Sequence, residues 1–272
     1  MRLLSAPFDE TAPFLIYTGK LAVEIGDLQD ATEALKAAES SAQVFDYWRP
    51  AVTREQAALY FTSGDYVAAV SAAEKACKLS QDRGYSKTRV AYCQSIGALA
   101  QLRLGNVTRA EQLVLEALKI MPPRADGSIF YAPRILFAAC LVETHRGDLS
   151  VAEGYCLRGI KMAERSRATS RNLSLGHLAL ADFYFQTGDF GKSRASALKA
   201  LEVTSKLFGP KHQDTVEALQ ILALVNEREG KADEARKRAE SAVEIARQLF
   251  GGGSPGVVRP RQTLKQVLKT RE

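Results

Sequence analysis

Small and apolar residues recur at three- and four-residue intervals along nearly the whole chain, as in AALYFTS (57–63) and AAVSAAEKACKL (68–79). That spacing puts them on one face of an α-helix, and no strand-like alternation bounded by hairpin turns interrupts it. Between these two stretches stand Gly64 and Asp65, a residue suited to stopping a helix followed by one suited to starting the next. The same pairing recurs at Gly26-Asp27, Gly105-Asn106, Gly147-Asp148, Gly188-Asp189 and Gly230-Lys231, and the successive spacings are 38, 41, 42, 41 and 42. A fixed period of this size predicts an array of helical hairpins, the glycine at each tip. The Asp or Asn is expected to cap the second helix through its free amides, which Lys231 cannot do.

Three further columns keep the period. Seven residues before each glycine stand Gly19, Ala57, Ala98, Cys140, Ala181 and Ala223. Five after it come Ala31, Ala69, Ala110, Ala152, Ser193 and Ala235, and twelve after it Ala38, Ala76, Ala117, Gly159, Ala200 and Ala242. Residues this small let two helix backbones approach closely where they cross, while larger side chains fill the flanks. Breakers separate the hairpins: Pro50, Pro122-Pro123 with Asp126-Gly127, Pro133, Gly209-Pro210, and Gly251 to Pro255.

These columns resemble the tetratricopeptide repeat family over about residues 12 to 250, with Tyr66 and Phe190 matching the aromatic that follows the turn. The resemblance implies an all-α, right-handed superhelical solenoid of six helix–turn–helix repeats, at about 12–48, 49–84, 85–129, 130–167, 168–210 and 211–255, and a cap helix at 256–272. The period exceeds the ~34 residues of the standard unit, and the last copies look like the kinesin light chain subtype. KALEVTSKLFGPKHQDTVEAL (199–219) and SAVEIARQLFGGGSPGVVRPR (241–261) align with a shift of 42. The paired asparagines of that subtype are missing; Gln220-Ile221 and Leu178-Ala179 stand there. In the cap, Lys265 replaces the small column, as a wet outer face requires. The N-terminal segment MRLLSAPFDETAP runs straight into the first helix with no polar cap before it, so the expectation is either a fragment of something longer or a segment packed as a lid over the first repeat.

Composition narrows the function classes. The net charge of +6 comes from 37 basic and 31 acidic residues that are interspersed, so a nucleic-acid partner is disfavoured. The exception is the C-terminal VVRPRQTLKQVLKTRE, five basic residues to one acidic, which offers an alternative basic tail. No apolar run approaches a bilayer span and the N-terminus lacks a signal-peptide core, so a cytoplasmic protein without membrane partners is expected. Cys77, Cys93, Cys140 and Cys156 form no C-x-x-C pair, and no disulfide framework is expected; Cys140 and Cys156 read as inert core thiols. His145 and His177 have no ligand or catalytic partners nearby in sequence, and GHLALADFYFQTGDFG has no phosphate-loop spacing. No metal, cofactor or enzymatic role is expected.

The expected function is therefore a protein-interaction scaffold that holds a peptide or protein segment in its concave groove. By the resemblance, first helices line that groove at the positions six and ten before each glycine. Those positions, with their neighbours, give the candidate binding set Lys20, Arg54, Tyr92, Ser95, Arg134, Phe137, Leu141, Leu178, Asp182, Phe185 and Gln220. Aromatic anchors and arginines facing carboxylates would supply affinity and polarity. The family's clamp for chaperone tails is excluded, since Ala58, Ile96 and Leu99 do not continue what Lys20 could begin. A second reading makes the array the ligand-sensing arm of a larger signalling or transcription regulator.

Overall fold

The computed structural model describes residues 11–44, 46–121, 131–165 and 171–269. The first hairpin joins α1 (Thr11–Ile25) to α2 (Leu28–Val44); α3 (Arg49–Thr62) with α4 (Tyr66–Asp82) and α5 (Lys87–Arg103) with α6 (Val107–Ile120) follow. Then come α7 (Ala132–Arg146) with α8 (Leu149–Arg165), α9 (Asn172–Gln186) with α10 (Phe190–Phe208), α11 (Gln213–Arg228) with α12 (Ala232–Phe250), and α13 (Val258–Lys269) alone. No strand occurs among the described residues. Pro50 and Pro133 open α3 and α7, where a missing amide hydrogen costs nothing. The N-terminal segment before Thr11 and the Pro122-Pro123 link lie outside the described residues.

All six tip glycines have φ between +74° and +96°. At Gly64 the tip also lies tight against the chain, for a Cβ there would stand 2.8 Å from the Gly256 backbone. Asp27, Asp65 and Asp189 accept the amide three residues on, at 3.1, 3.1 and 3.0 Å. Each cap is worth about 1 kcal/mol. Asn106 and Asp148 depart from expectation: the Asn106 amide donates to Gln101 instead, and Asp148 accepts the Ser150 hydroxyl.

The small columns are buried in every copy. Their role shows best where hairpins cross. A Cβ on Gly19 would sit 2.6 Å from Leu35 Cγ, so the bulk of Leu35 in α2 fits only because α1 carries glycine opposite it. The equivalent crossing in the fourth hairpin pairs Cys140 with Cys156, whose Cα atoms are 5.3 Å apart, and they form a disulfide. This corrects the expectation of two free core thiols: a column that lets backbones touch also brings two cysteines within bonding distance. Cys77 and Cys93 remain free.

The array curls tightly enough that successive turns of the superhelix touch. The tip of the first hairpin meets the start of the sixth: a Cβ on Gly26 would lie 3.0 Å from His212 Cδ2. The tip of the second meets the start of α13 through the Gly64–Gly256 contact. At the C-terminal end α13 buries Pro260, Thr263 and Val267 against its neighbours and leaves Lys265 exposed.

Candidate functional site

The odd-numbered helices α3 to α13, together with Val23 of α1, enclose a cavity of about 280 Å³ on the concave side. Its wall is built from one helical face. The positions ten and six before each glycine supply Ser95 and Leu99, Phe137 and Leu141, Leu178 and Asp182, and Gln220 and Leu224. One helical turn earlier, thirteen before each glycine, come Tyr92, Arg134, Leu175 and Glu217, and Arg259 continues the column in α13. One turn later come Phe61, Arg103, His145 and Phe185. Nine of the eleven candidate residues thus line the cavity; Lys20 and Arg54 do not.

Lys20 and Arg54 are turned into the wall. Arg54 is buried and holds Glu55 through Nε at 3.0 Å and Nη2 at 2.8 Å. Both cations lie over the Tyr131 ring, at 5.3 Å and 5.7 Å from its centroid, and Tyr131 stacks on Tyr92 at 4.1 Å. Burial lowers the Lys20 pKa despite the nearby carboxylates.

Two polar clusters bound the apolar surface. In the first, Arg134 donates from Nε to Asn172 Oδ1 at 2.8 Å, from Nη1 to the Tyr92 hydroxyl at 3.0 Å, and from Nη2 to Glu24 at 2.5 and 2.6 Å. Arg171 beside it grips Asp214 through Nε at 2.9 Å and Nη2 at 2.7 Å, and donates from Nη2 to Gln213 Oε1 at 3.1 Å and from Nη1 to the Val23 carbonyl at 3.4 Å. His212, fully buried, donates from Nε2 to the Glu24 carbonyl and accepts the Asp214 amide on Nδ1, both at 3.1 Å. Burial alone would raise the Glu24 and Asp214 pKa values, but the arginine charges outweigh it and hold both carboxylates ionised. These contacts tie the end of α1 to α7, α9 and α11. The sequence places Arg134 on the groove face; the structure makes it a tie between superhelical turns, with Nε, Nη1 and Nη2 all engaged.

The second cluster is looser. Arg103 reaches Glu217 across the cavity at 3.7 Å, and His145 meets Asp182 at 3.2 Å. Burial would raise the Asp182 pKa, but the His145 hydrogen bond and charge keep it low. Burial would lower the Arg259 pKa, but Tyr66 and the charges of Glu217 and Asp182 raise it, and among the described residues Arg259 forms no ion pair. The C-terminal basic tail read from sequence is thus divided, with Arg259 facing inward and Arg261, Lys265 and Lys269 exposed.

The tetratricopeptide repeat family model matches residues 172–248, which cover α9 to α11 and nearly all of α12. Those residues are tetratricopeptide repeats. The remaining hairpins share their fold: NprR in complex with its cognate peptide NprX superposes over 99% of this chain and 73% of that one, with 16% identity and a TM-score of 0.66. The Cut9–Hcn1 hetero-tetramer of the APC/C gives 0.61 at 13% identity over 96% of this chain, which spans only 43% of the matched one. A Rap protein complexed with Competence and Sporulation Factor gives 0.57 at 14% identity, over 98% and 76% of the two chains. No curated protein matches the sequence. No repeat helix among the described residues is long and apolar enough to cross a membrane, and no group of three or more His, Cys, Asp or Glu there could hold a metal ion.

Proposed function

We propose that this repeat array is a non-catalytic interaction module that receives a short peptide or protein segment in the cavity enclosed by its first helices. The observation that carries the proposal is the wall itself, in which one face of every odd-numbered helix from α3 onward converges on a single apolar space with polar groups at its margins. That Rap and NprR have each been captured with a peptide-class ligand or factor supports the same use of the fold. At about 280 Å³ the space lies at the small end of ligand pockets, which run to roughly 300–1,000 Å³. A helix is ~10–12 Å across with its side chains, so an extended segment of a few residues fits better. Leu99, Leu141, Leu178 and Phe185 would take its apolar side chains, and Arg103 with Arg259, loosely engaged as they are, would take a carboxylate.

The test is retention of peptides by the immobilised chain, read by mass spectrometry, against Phe185→Asp and Leu224→Asp. Both residues are half-buried in the cavity wall, so the variants should fold and lose the retained set at least about tenfold. Retention of the same peptides by both variants refutes the cavity as the binding site. Reversing Arg54 or Arg134 would not serve, because both hold the wall together.

The alternative, a ligand-sensing arm of a larger regulator, gains support from the contacts between superhelical turns, since a ligand entering the cavity would act on both ends of the array at once. It predicts a change in radius of gyration on ligand addition. Nucleic-acid binding gains nothing, as only three basic residues of α13 face outward.

A further inference from the structure

Among the fifteen residues of α1, those exposed are Thr11, Phe14, Tyr17, Leu21 and Ile25. The last four form a stripe at intervals of three, four and four, and are 70%, 64%, 48% and 47% exposed. No charge interrupts it. A solenoid end needs a polar outer face to stay soluble, and α13 has one in Arg261, Gln262, Lys265 and Lys269. The stripe on α1 is the opposite.

The repeat shows what this face is for. Phe14, Tyr17 and Leu21 stand twelve, nine and five residues before Gly26. The equivalents of Phe14 are Val52, Cys93, Ile135, Gly176 and Ala218, and those of Leu21 are Leu59, Ala100, Val142, Phe183 and Val225; all are buried. Those of Tyr17 are Glu55, Ile96, Ala138, Ala179 and Ile221, of which only Ile221 is half-buried rather than buried. In every later repeat these columns press on the preceding hairpin: Leu59 joins the core of Ala22, Val23 and Leu35, and Val142 that of Ala98, Leu113 and Val114. In α1 the described residues leave the same surface largely uncovered.

Its occupant is not a further repeat at the usual spacing. No other repeat carries an aromatic at either of the first two columns; the largest residues found there are Ile135, Glu55, Ile96 and Ile221, and Phe14 and Tyr17 exceed them all. Nor is it the far end of another copy, because stacking α13 there would bury Lys265 and Arg261 against a face with no acidic partner. A charge-free face asks for a charge-free face, and an identical stripe supplies one through a two-fold axis, which also closes the assembly at two. With aromatics exposing most of their ~150–250 Å², one stripe presents roughly 400 Å². Two of them with their flanks reach about 1,000 Å², the lower bound for a specific contact, so micromolar affinity is expected.

We propose that two copies of this chain pair α1 against α1 through Phe14, Tyr17, Leu21 and Ile25. The experiment is sedimentation velocity of the full chain from about 1 to 100 µM. Wild type should move from monomer to dimer across that range. Phe14→Asp and, separately, Tyr17→Lys should weaken dimerisation about 1,000-fold, since each change acts twice across the axis. Circular dichroism should stay unchanged because neither side chain is buried. Lys265→Glu, at the other end, should dimerise like wild type. A monomer throughout would mean that something else covers the stripe and would overturn the proposal. So would a dimer that survives both α1 variants, or one broken by Lys265→Glu.

Discussion

Replacing Arg134 by Met tests whether the ties between superhelical turns carry the stability of the N-terminal hairpin. Arg134 and Glu24 side chains are 12% and 14% exposed, and their residues are separated by 110 positions. The substitution keeps the aliphatic stem but strands a buried carboxylate, and it removes a donor from both Tyr92 and Asn172. Breaking one side of a buried pair costs about 3–5 kcal/mol, much of it the penalty of the charge left behind. Glu24→Gln strands the arginine instead and should cost about 2–4 kcal/mol on the same grounds. The double variant strands neither charge. It should therefore be less unstable than the sum of the singles, by at least about 2 kcal/mol of coupling. Because a repeat array can unfold in stages, urea denaturation should be paired with hydrogen exchange of the α1 amides, which ought to lose protection first. A cost below about 1 kcal/mol for Arg134→Met, or singles that add within about 0.5 kcal/mol, would show that this contact decorates the closure rather than maintaining it.

Two further outcomes follow from buried groups. His212 is neutral in the fold, its Nε2 donating to the Glu24 carbonyl and its Nδ1 accepting the Asp214 amide, and burial holds its pKa below the ordinary 6.5. The unfolded chain then binds the extra proton first, so stability present above about pH 6.5 is lost as pH falls, by no more than ~1.4 kcal/mol per pH unit for one histidine. His212→Gln should flatten urea midpoints measured between pH 7 and 5, leaving a weaker slope from His177, whose pKa burial also lowers; an unchanged slope would rule His212 out. Gly159→Ala puts a Cβ 2.4 Å from Phe137 Cε1 and should lower stability by about 1–3 kcal/mol. Gly154→Ala, in open space on the same helix, should raise it by about 0.5–1 kcal/mol; equal melting temperatures for the two variants would refute the crowding argument.

What the sequence made legible is whatever repeats. The tip glycines, the buried small columns and the helical face of the groove all recur near 41 residues, and counting six and ten back from each glycine found Ser95, Phe137, Leu141, Leu178, Asp182 and Gln220 on the cavity wall. The same counting could have gone one turn further each way. Arg259 and Glu217 share a column with Tyr92 and Arg134, and Arg103 shares one with His145; the helical face that predicts the inner positions predicts these too. Lys20 and Arg54 fail for a local reason, since each finds a partner inside the wall, in Tyr131 and Glu55. Cys140 stands in a small column and Cys156 at the position across the crossing from it, but the sequence reads both as core thiols because column size alone does not distinguish cysteine from alanine, and only the crossing shows that the two sulfurs meet.

The contacts between turns could not be read by any periodic rule. Glu24 with Arg134, Val23 with Arg171 and Glu24 with His212 are separated by 110, 148 and 188 positions, none a multiple of the repeat shared by the others. They depend on the pitch at which hairpins stack, and pitch accumulates from small rotations set by every interface in between. A change of a few degrees per hairpin would carry the first tip past His212 and leave Glu24 facing water. The buried charges therefore select one curvature among several that the apolar columns would tolerate, because only one brings each carboxylate to its arginine. The first hairpin is thus held on one side by buried charge, while the opposite face of α1 carries an apolar stripe that the described residues leave largely exposed. A ligand in the cavity and a partner on the stripe would then bear on the same fifteen-residue helix from opposite faces, which makes α1 the element through which binding and assembly would be coupled.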